Sequence, residues 1–213
     1  MKTSTYLFGL ILLAALVMQS CISSFSELQG ARLVGKGNVE ITPYYTTVSG
    51  GDQEDYSGIQ NQIGVNTAIG LSHKMDLRMR VENIWPKGDD FTDGLAVVGV
   101  GPKLSLVENI MSAYLPVGRA LGDGTSDSWE IQPTLLLTLP AVENILDINL
   151  TPKYIFNLCE DCDNYVAFNL GMALSNNLSK WAFRAEYGLL YDPGESGHYG
   201  QFSVGISSTF GKK

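Results

Sequence analysis

Apolar and polar residues alternate with a period of two along most of the chain after residue 37. Ile63, Val65 and Thr67, for example, fall on one face of a stretch whose other face carries Gly64 and Asn66. Successive side chains of a β-strand point to opposite faces, so this pattern predicts strands. We count ten such stretches, each of about nine to twelve residues, the length that a tilted strand needs to cross a bilayer.

The connections between the predicted strands alternate between short and long. The tetrad Val-Glu-Asn-Ile occurs at residues 107–110 and again at 142–145, in two of the short connections. The other two are residues 72–75 and 175–179, whereas the long connections are rich in Gly and Asp and are predicted at residues 47–58, 86–94, 118–128, 159–164 and 192–199. One hairpin plus one long loop per repeat predicts an up-and-down barrel with both termini on the side of the short turns.

Alternation alone does not decide which face of the sheet is inside, because a soluble β-sandwich or lipocalin also alternates. Three features favour a membrane barrel: the alternating loop lengths, a polar face that mixes charge with Gly and Ser, and aromatic residues near strand ends. The aromatic residues are Tyr45, Trp85, Trp129, Trp181, Tyr191 and Phe210. The predicted fold is an all-β, ten-stranded antiparallel transmembrane β-barrel, with short periplasmic turns and longer extracellular loops.

The polar face of the predicted strands carries five acids and five bases. They are Glu40, Arg78, Arg80, Glu82, Lys103, Glu130, Asp147, Lys153, Arg184 and Glu186. Buried charges require partners, and a ten-stranded barrel is narrow enough for side chains of opposite walls to meet. We expect the three arginines to pair with Glu40, Glu82, Glu130 and Glu186. This network either closes the lumen or forms the filter of a pore for small solutes.

The charge composition excludes one class of function and marks one surface. With 14 basic and 22 acidic residues, the net charge is -8, which argues against nucleic-acid binding. The predicted long loops hold most of the excess: Asp52, Glu54, Asp55, Asp89, Asp90, Asp93, Asp123, Asp127, Glu160, Asp161, Asp163, Asp192 and Glu195. This acidic rim either attracts divalent cations that bridge to lipopolysaccharide or is a solvated surface, and it contains no calcium-loop spacing.

The first residues have the organisation of a secretory signal. Lys2 precedes an apolar stretch from Tyr6 to Met18 that is too short to span a bilayer. Residues 17–21, Val-Met-Gln-Ser-Cys, resemble a bacterial lipobox, in which the Cys is acylated and becomes the mature N-terminus. The predicted organisation is a lipoprotein signal peptide at 1–20, a lipidated periplasmic lead-in from Cys21 to residue 36, the barrel at 37–210 and a basic tail at 211–213.

The chain as a whole resembles the small outer-membrane β-barrel lipoproteins common in Bacteroidota, including the lead-in Leu-Val-Gly-Lys-Gly-Asn-Val-Glu-Ile-Thr-Pro at residues 33–43. The resemblance implies a bacterial outer-membrane location with an N-terminal lipid anchor. It implies outer-membrane lipids and lipopolysaccharide as surroundings, and the barrel-assembly and lipoprotein-processing machineries as partners.

Two cysteines remain besides Cys21. Cys159 and Cys162 are close in sequence, and in an exported protein such a pair most simply forms a disulfide, with free thiols or a metal site as alternatives. Zinc would need two further ligands, and the two histidines of the chain are distant in sequence. No cofactor or metal is predicted, since Gly99-Val100-Gly101 falls within a strand and is no phosphate loop.

Two further functions remain open. His198 beside Ser196 is the pair that a lipid hydrolase could use, although a His in a Gly-containing loop is more often a solvated turn residue; His73 falls in a short turn. We expect no catalytic residue. The other alternative is a narrow channel or a binder of small apolar molecules, for which a lateral gap beside a proline would be a sign, because proline removes a ladder hydrogen bond. The strand prolines are Pro43, Pro102, Pro116, Pro133 and Pro152.

Overall fold

A computed structural model of the chain describes residues 25–51, 57–89, 94–122, 129–159, 162–194 and 197–211. The predicted signal peptide, Cys21, the last two lysines and ten of the thirteen acids of the predicted rim lie outside these residues. The described residues form twelve β-segments: β1 (Asn38–Gly51), β2 (Ser57–Gly70), β3 (Met75–Pro86), β4 (Leu95–Val107), β5 (Met111–Tyr114), β6 (Val117–Leu121), β7 (Trp129–Ile131), β8 (Thr134–Val142), β9 (Leu146–Asn157), β10 (Tyr165–Leu174), β11 (Trp181–Tyr191) and β12 (His198–Gly211). None of the described residues belongs to a helix long and apolar enough to cross a membrane.

The segments form ten barrel strands, because β5 with β6 and β7 with β8 are each one strand interrupted before a proline, at Pro116 and Pro133. Every pairing is antiparallel, and β1 pairs with β12 from Asn38 opposite Gly211 to Gly51 opposite His198, which closes the sheet. The predicted ten-stranded antiparallel barrel is confirmed. We call the side of the short turns the turn side and the opposite side the loop side.

The repeated Val-Glu-Asn-Ile tetrads form two of the turns. Asn109 and Asn144 both adopt a left-handed backbone with φ of 58°. The amide N–H of the following Ile donates to the carbonyl of the preceding Val across 3.1 Å in both turns. Among non-glycine residues, Asn tolerates this conformation best, because its short polar side chain bonds locally. The sequence repeat is therefore a repeat of one turn geometry.

On the loop side, the strands extend further than the sequence predicts. The expected loop at 47–58 overlaps β1, which continues to Gly51, and β2, which begins at Ser57; likewise β6 continues to Leu121. Residues 48–51, Val-Ser-Gly-Gly, show little hydrophobic alternation, yet their backbones keep pairing with residues 198–201 of β12. Alternation is lost before the ladder ends because backbone hydrogen bonds do not depend on side-chain polarity.

The barrel is polar inside and apolar outside. Leu139 is 65% exposed and Val81 is 57% exposed on the outer surface, whereas Lys103 and Gln62 on the inner face are fully buried. An outer surface so rich in exposed apolar side chains needs an apolar solvent, as the exterior of a transmembrane barrel does. At its rim on the turn side, Trp181 donates from Nε1 to Asn176 across 2.9 Å, and at the loop side the Arg119 guanidinium lies 5.4 Å from the Trp129 ring.

Candidate functional site in the barrel lumen

Residues 25–34, which we call the lumen segment, lie inside the barrel. Phe25, Ser26, Glu27, Leu28 and Ala31 are at most 3% exposed. The sequence instead predicts a periplasmic lead-in at 21–36. The segment enters the lumen because charged and amide side chains of the wall form hydrogen bonds with its backbone N–H and carbonyl groups.

The lumen segment runs along the barrel axis from the loop side to the turn side. Phe25 packs in a cluster with Val48, Ile155, Ala167 and Leu190, each within four residues of the loop-side end of its strand. At the other end of the segment, the amide N–H of Val34 donates to Asp76 across 3.0 Å, and Asp76 is the second residue of β3. Asn66 and Asn169 donate to the carbonyls of Glu27 and Phe25, between these two levels.

Glu186 of β11 binds the backbone of the lumen segment. Its carboxylate accepts hydrogen bonds from the amide N–H of Glu27 at 2.8 Å and of Leu28 at 3.0 Å, and from the Ser26 hydroxyl at 3.1 Å. Leu28 has a left-handed φ of 47°, a conformation that lets successive amide groups point to one anion. The strain of this non-glycine residue is offset by three hydrogen bonds to a buried carboxylate.

Glu27 is the partner of two buried cations of the wall. Lys153 donates to its carboxylate, and the Arg80 guanidinium lies 3.3 Å from it. Arg80 also donates to the carbonyl of Ser26 across 2.7 Å. The sequence predicts wall glutamates as partners of Arg80, whereas the structure pairs this arginine with the lumen segment. The sequence of this segment has no strand pattern that would place Glu27 in the lumen.

Nearer the turn side, the wall holds the lumen segment through its carbonyls and Arg32. Lys103 donates to the carbonyls of Gly30 and Arg32, both across 2.6 Å. The Arg32 guanidinium binds Asp147 in a bidentate pair of 2.5 and 3.0 Å. A fully buried ammonium thus finds backbone acceptors, which reduces the cost of removing its charge from water.

The remaining wall charges interact with other residues of the wall. Glu40 bridges Arg78 and Arg184, with both contacts at 3.3 Å. Of the three arginines on the predicted polar face, Arg78 and Arg184 therefore pair with a glutamate that the sequence predicts as their partner. Glu82 accepts from the Tyr44 hydroxyl, and Glu130 accepts from Gln132 across 2.7 Å, so neither contact is an arginine pair. Nine of the ten predicted lumen residues are buried, and Arg184 is half-buried.

At Gly30 the backbone of the lumen segment lies directly against the wall. A Cβ atom on this residue would lie 2.2 Å from Oδ1 of Asn149 and 2.6 Å from Oγ1 of Thr138. Next to it, the amide N–H of Ala31 donates to Thr138 and its carbonyl accepts from Ser112, both across 2.7 Å. Only glycine fits at this position without movement of the wall.

Three charged residues of the lumen were missed by the strand pattern: Glu27, Arg32 and Asp76. Asp76 follows the predicted short turn at 72–75 directly and precedes the first clear alternation of β3, so the sequence pattern places it on neither face. For the lumen segment, a usable signal is its composition: residues 25–34 contain Phe, two Leu, Ala and Val among few charges, which is apolar for a solvated linker.

The other predicted sites lie away from the lumen network. Cys159 and Cys162 form a disulfide with a Cα–Cα distance of 5.5 Å, in the connection between β9 and β10. His198 is the first residue of β12, and not a loop residue, with its ring stacked 5.9 Å from that of Tyr191; Ser196 lies outside the described residues. His73 is exposed in the β2–β3 turn. Within the described ranges, no three His, Cys, Asp or Glu side chains gather as a metal site.

The prolines differ in their surroundings. At Pro102, Pro116 and Pro133 the carbonyls accept hydrogen bonds from the neighbouring strand, each across 3.1 Å, so the ladder continues past them. Beside Pro43, between paired residues Ile41 and Tyr44, an outward-facing groove of about 710 Å³ opens on the lipid-facing surface. Its apolar lining is formed by Tyr45, Ile63, Val65, Val81, Ala96, Phe183, Val204 and Ile206.

Comparison with known protein families and with curated proteins finds no match. Among solved structures, the chain is similar to Ail, the attachment invasion locus protein of Yersinia pestis, with 9% identity, coverage of 82% of this chain and 99% of Ail, and a TM-score of 0.37. The translocator domain of the autotransporter NalP from Neisseria meningitidis shares 9% identity over 97% of this chain and 96% of its own, with a TM-score of 0.47. Neisserial surface protein A shares 8% identity over 82% and 100%, with a TM-score of 0.39. At these values, function has to be argued from the residues of this chain.

Proposed function

We propose that this protein is a lipid-anchored barrel of the bacterial outer membrane with a structural or envelope-interaction role, and that its own N-terminal segment keeps the lumen closed to ions. Lipopolysaccharide and outer-membrane lipids would surround it, and the lipoprotein-processing and barrel-assembly machineries would mature it. No catalytic role is proposed for any residue.

One observation carries the proposal: several charged side chains of the wall are bound to residues 25–34. Glu186, Lys103 and Arg80 each bind backbone groups of the lumen segment, and Glu27 pairs with two wall cations. A conducting filter keeps its charges available to ions in water. Charges that are buried and bound to a fixed segment support a closed barrel instead.

Planar-bilayer recordings of the purified full chain test this proposal. We expect no conductance steps from the full chain, and steps from a variant that lacks residues 25–34. Gly30→Leu should also conduct, because a side chain at this position collides with Asn149 and Thr138 and displaces the lumen segment.

Gly99→Ala is the matched control for the glycine substitution, since a Cβ atom there meets nothing nearer than 3.7 Å. It should behave like the unchanged chain. Steps from the full chain would contradict the proposed closed lumen. If neither the deletion variant nor Gly30→Leu shows conductance steps, although each is folded, the lumen segment is not what blocks conduction.

The groove beside Pro43 favours a second candidate function, the binding of an acyl chain or a similar apolar molecule from the bilayer. Val204→Trp should fill this groove and lower the number of phospholipids that the purified protein retains in native mass spectrometry. Phe168→Trp, on the exposed surface of β10 outside the groove, is the control. Equal lipid retention by the two variants and the unchanged chain would rule out the groove as a binding site.

A further inference from the structure

The lumen wall contacts residues 25–34 mainly through their main chain. Side chains of the wall accept hydrogen bonds from four amide N–H groups of the segment, those of Glu27, Leu28, Ala31 and Val34. Other side chains of the wall donate to six of its carbonyls, those of residues 25, 26, 27, 30, 31 and 32. Main-chain hydrogen bonds give peptide-binding grooves their affinity, and pockets for side chains give them specificity.

Four side-chain positions of the segment add specificity. Phe25 fills an apolar cluster at the loop side, and Glu27 pairs with two cations of the wall. Arg32 binds a wall carboxylate in a bidentate pair, and at Gly30 a Cβ atom would lie 2.2 Å from Oδ1 of Asn149. Together these positions define the pattern Phe-x-Glu-x-x-Gly-x-Arg, in which x stands for the positions between them.

The ring of strands is complete without the lumen segment. β1 pairs with β2 on one side and with β12 on the other, so the ladder of the barrel closes through the strands themselves. A short turn at residues 35–37 links the segment to β1, and in this turn Lys36 is exposed between two glycines with left-handed φ of 84° and 80°. The segment and the barrel thus relate to each other as a ligand and a receptor joined by a short linker.

We propose that the lumen wall is a peptide-binding site for an extended peptide of the pattern Phe-x-Glu-x-x-Gly-x-Arg, and that residues 25–34 are its tethered ligand. In the intact chain the short linker holds this ligand at an effective concentration in about the millimolar range, so a free peptide does not displace it. Once the linker is cut, a separate peptide of the same sequence competes with the segment on equal terms. The tethered state rests on the proposed closed lumen, which conductance tests separately.

Refolding of a cut chain tests the proposal. The recognition sequence of a specific protease is inserted after Lys36 in the full chain, the folded protein is cut in detergent, and the products are refolded from urea with an excess of labelled peptide. The peptide comprises residues 25–37, is acetylated at Phe25 and carries a fluorophore on the exposed Lys36 side chain. The control chain is cut after His73 in the exposed β2–β3 turn, which leaves residues 25–34 joined to β1.

We expect labelled peptide to migrate with the refolded barrels of the chain cut after Lys36, and less than about a tenth as much to migrate with the uncut chain or the control. In the peptide, Glu27→Gln and Gly30→Leu should each weaken competition at least about tenfold, because one removes a buried charge and the other collides with the wall. Leu33→Ala keeps the main-chain and charged groups and is the matched control peptide.

Refolded barrels of the cut chain that hold no labelled peptide would overturn the proposal, whether they are empty or keep only their own fragment. Equal competition by all the peptides would overturn it too, since the wall would then not select the pattern.

A second measurement omits refolding. The folded cut chain is incubated in detergent with an excess of labelled native peptide, and a fragment that carries Glu27→Gln should be replaced faster than the native fragment. Equal replacement of the two fragments would contradict the proposal. Conductance of the full chain would refute the closed lumen without affecting uptake of the peptide by the cut chain, so each failure has its own readout.

Discussion

Single residues of the lumen are stabilised by partners far away in sequence. Glu186 binds the amides of residues 27 and 28, and Lys103 binds the carbonyls of residues 30 and 32. A buried charge that loses its partner costs much more than the intact pair contributes. The wall charges and the lumen segment are therefore expected to depend on each other for stability.

Glu27→Ala tests this dependence. The change removes the carboxylate between Lys153 and Arg80, so we expect the free energy of unfolding to fall by about 3–5 kcal/mol, the usual loss on breaking a buried ion pair. Urea unfolding of the protein folded in detergent or bilayers measures the change. Glu108→Ala, in an exposed turn, is the control and should change little. A loss below about 0.5 kcal/mol for Glu27→Ala would mean that the pair is replaced by water or other groups.

At the scale of elements, the strands could be predicted because lipid outside and charge inside impose a period of two on each of them. The end of β1 could not, since Val-Ser-Gly-Gly at residues 48–51 continues the ladder without alternating. Nor could the end of β6, where Gly-Arg-Ala-Leu at residues 118–121 shows no clear alternation of apolar and polar side chains. The lumen segment could not be placed either: its contacts with Glu186, Lys103 and Arg80 are made by backbone groups, which every residue carries. Sequence patterns report side chains, and this site is built largely from main chain.

The repeated turns give a test at the same scale. Asn109→Val should destabilise the barrel by about 1–2 kcal/mol, because a β-branched residue is strained at a φ of 58°. Asn109→Gly should be tolerated, and Glu108→Val, one residue earlier in the same turn, is the matched control. Since the second tetrad repeats the geometry, Asn144→Val should lower the free energy of unfolding by a similar amount. In urea unfolding, the loss in the double variant should equal the sum of the two single losses. A neutral Asn109→Val would mean that the turn rearranges.

For the whole molecule, the polar interior and apolar exterior place the barrel in a membrane, and the lumen segment joins most of its strands. Contacts of residues 25–34 reach β2, β3, β4, β5, β8, β9, β10 and β11. The segment connects opposite walls through charged and amide groups, so the inside of the barrel is held together as a core. Removal of the segment should therefore weaken the barrel as well as open it.

The closure of the sheet between β1 and β12 has a consequence for assembly. The lumen segment precedes β1 in the chain, whereas β12 is the last of the described strands and completes the ring around the segment. A segment that hydrogen-bonds to eight strands is easier to enclose than to insert into a finished ring. We therefore expect residues 25–34 to occupy the lumen before β12 pairs with β1, so that the seam between these two strands forms last.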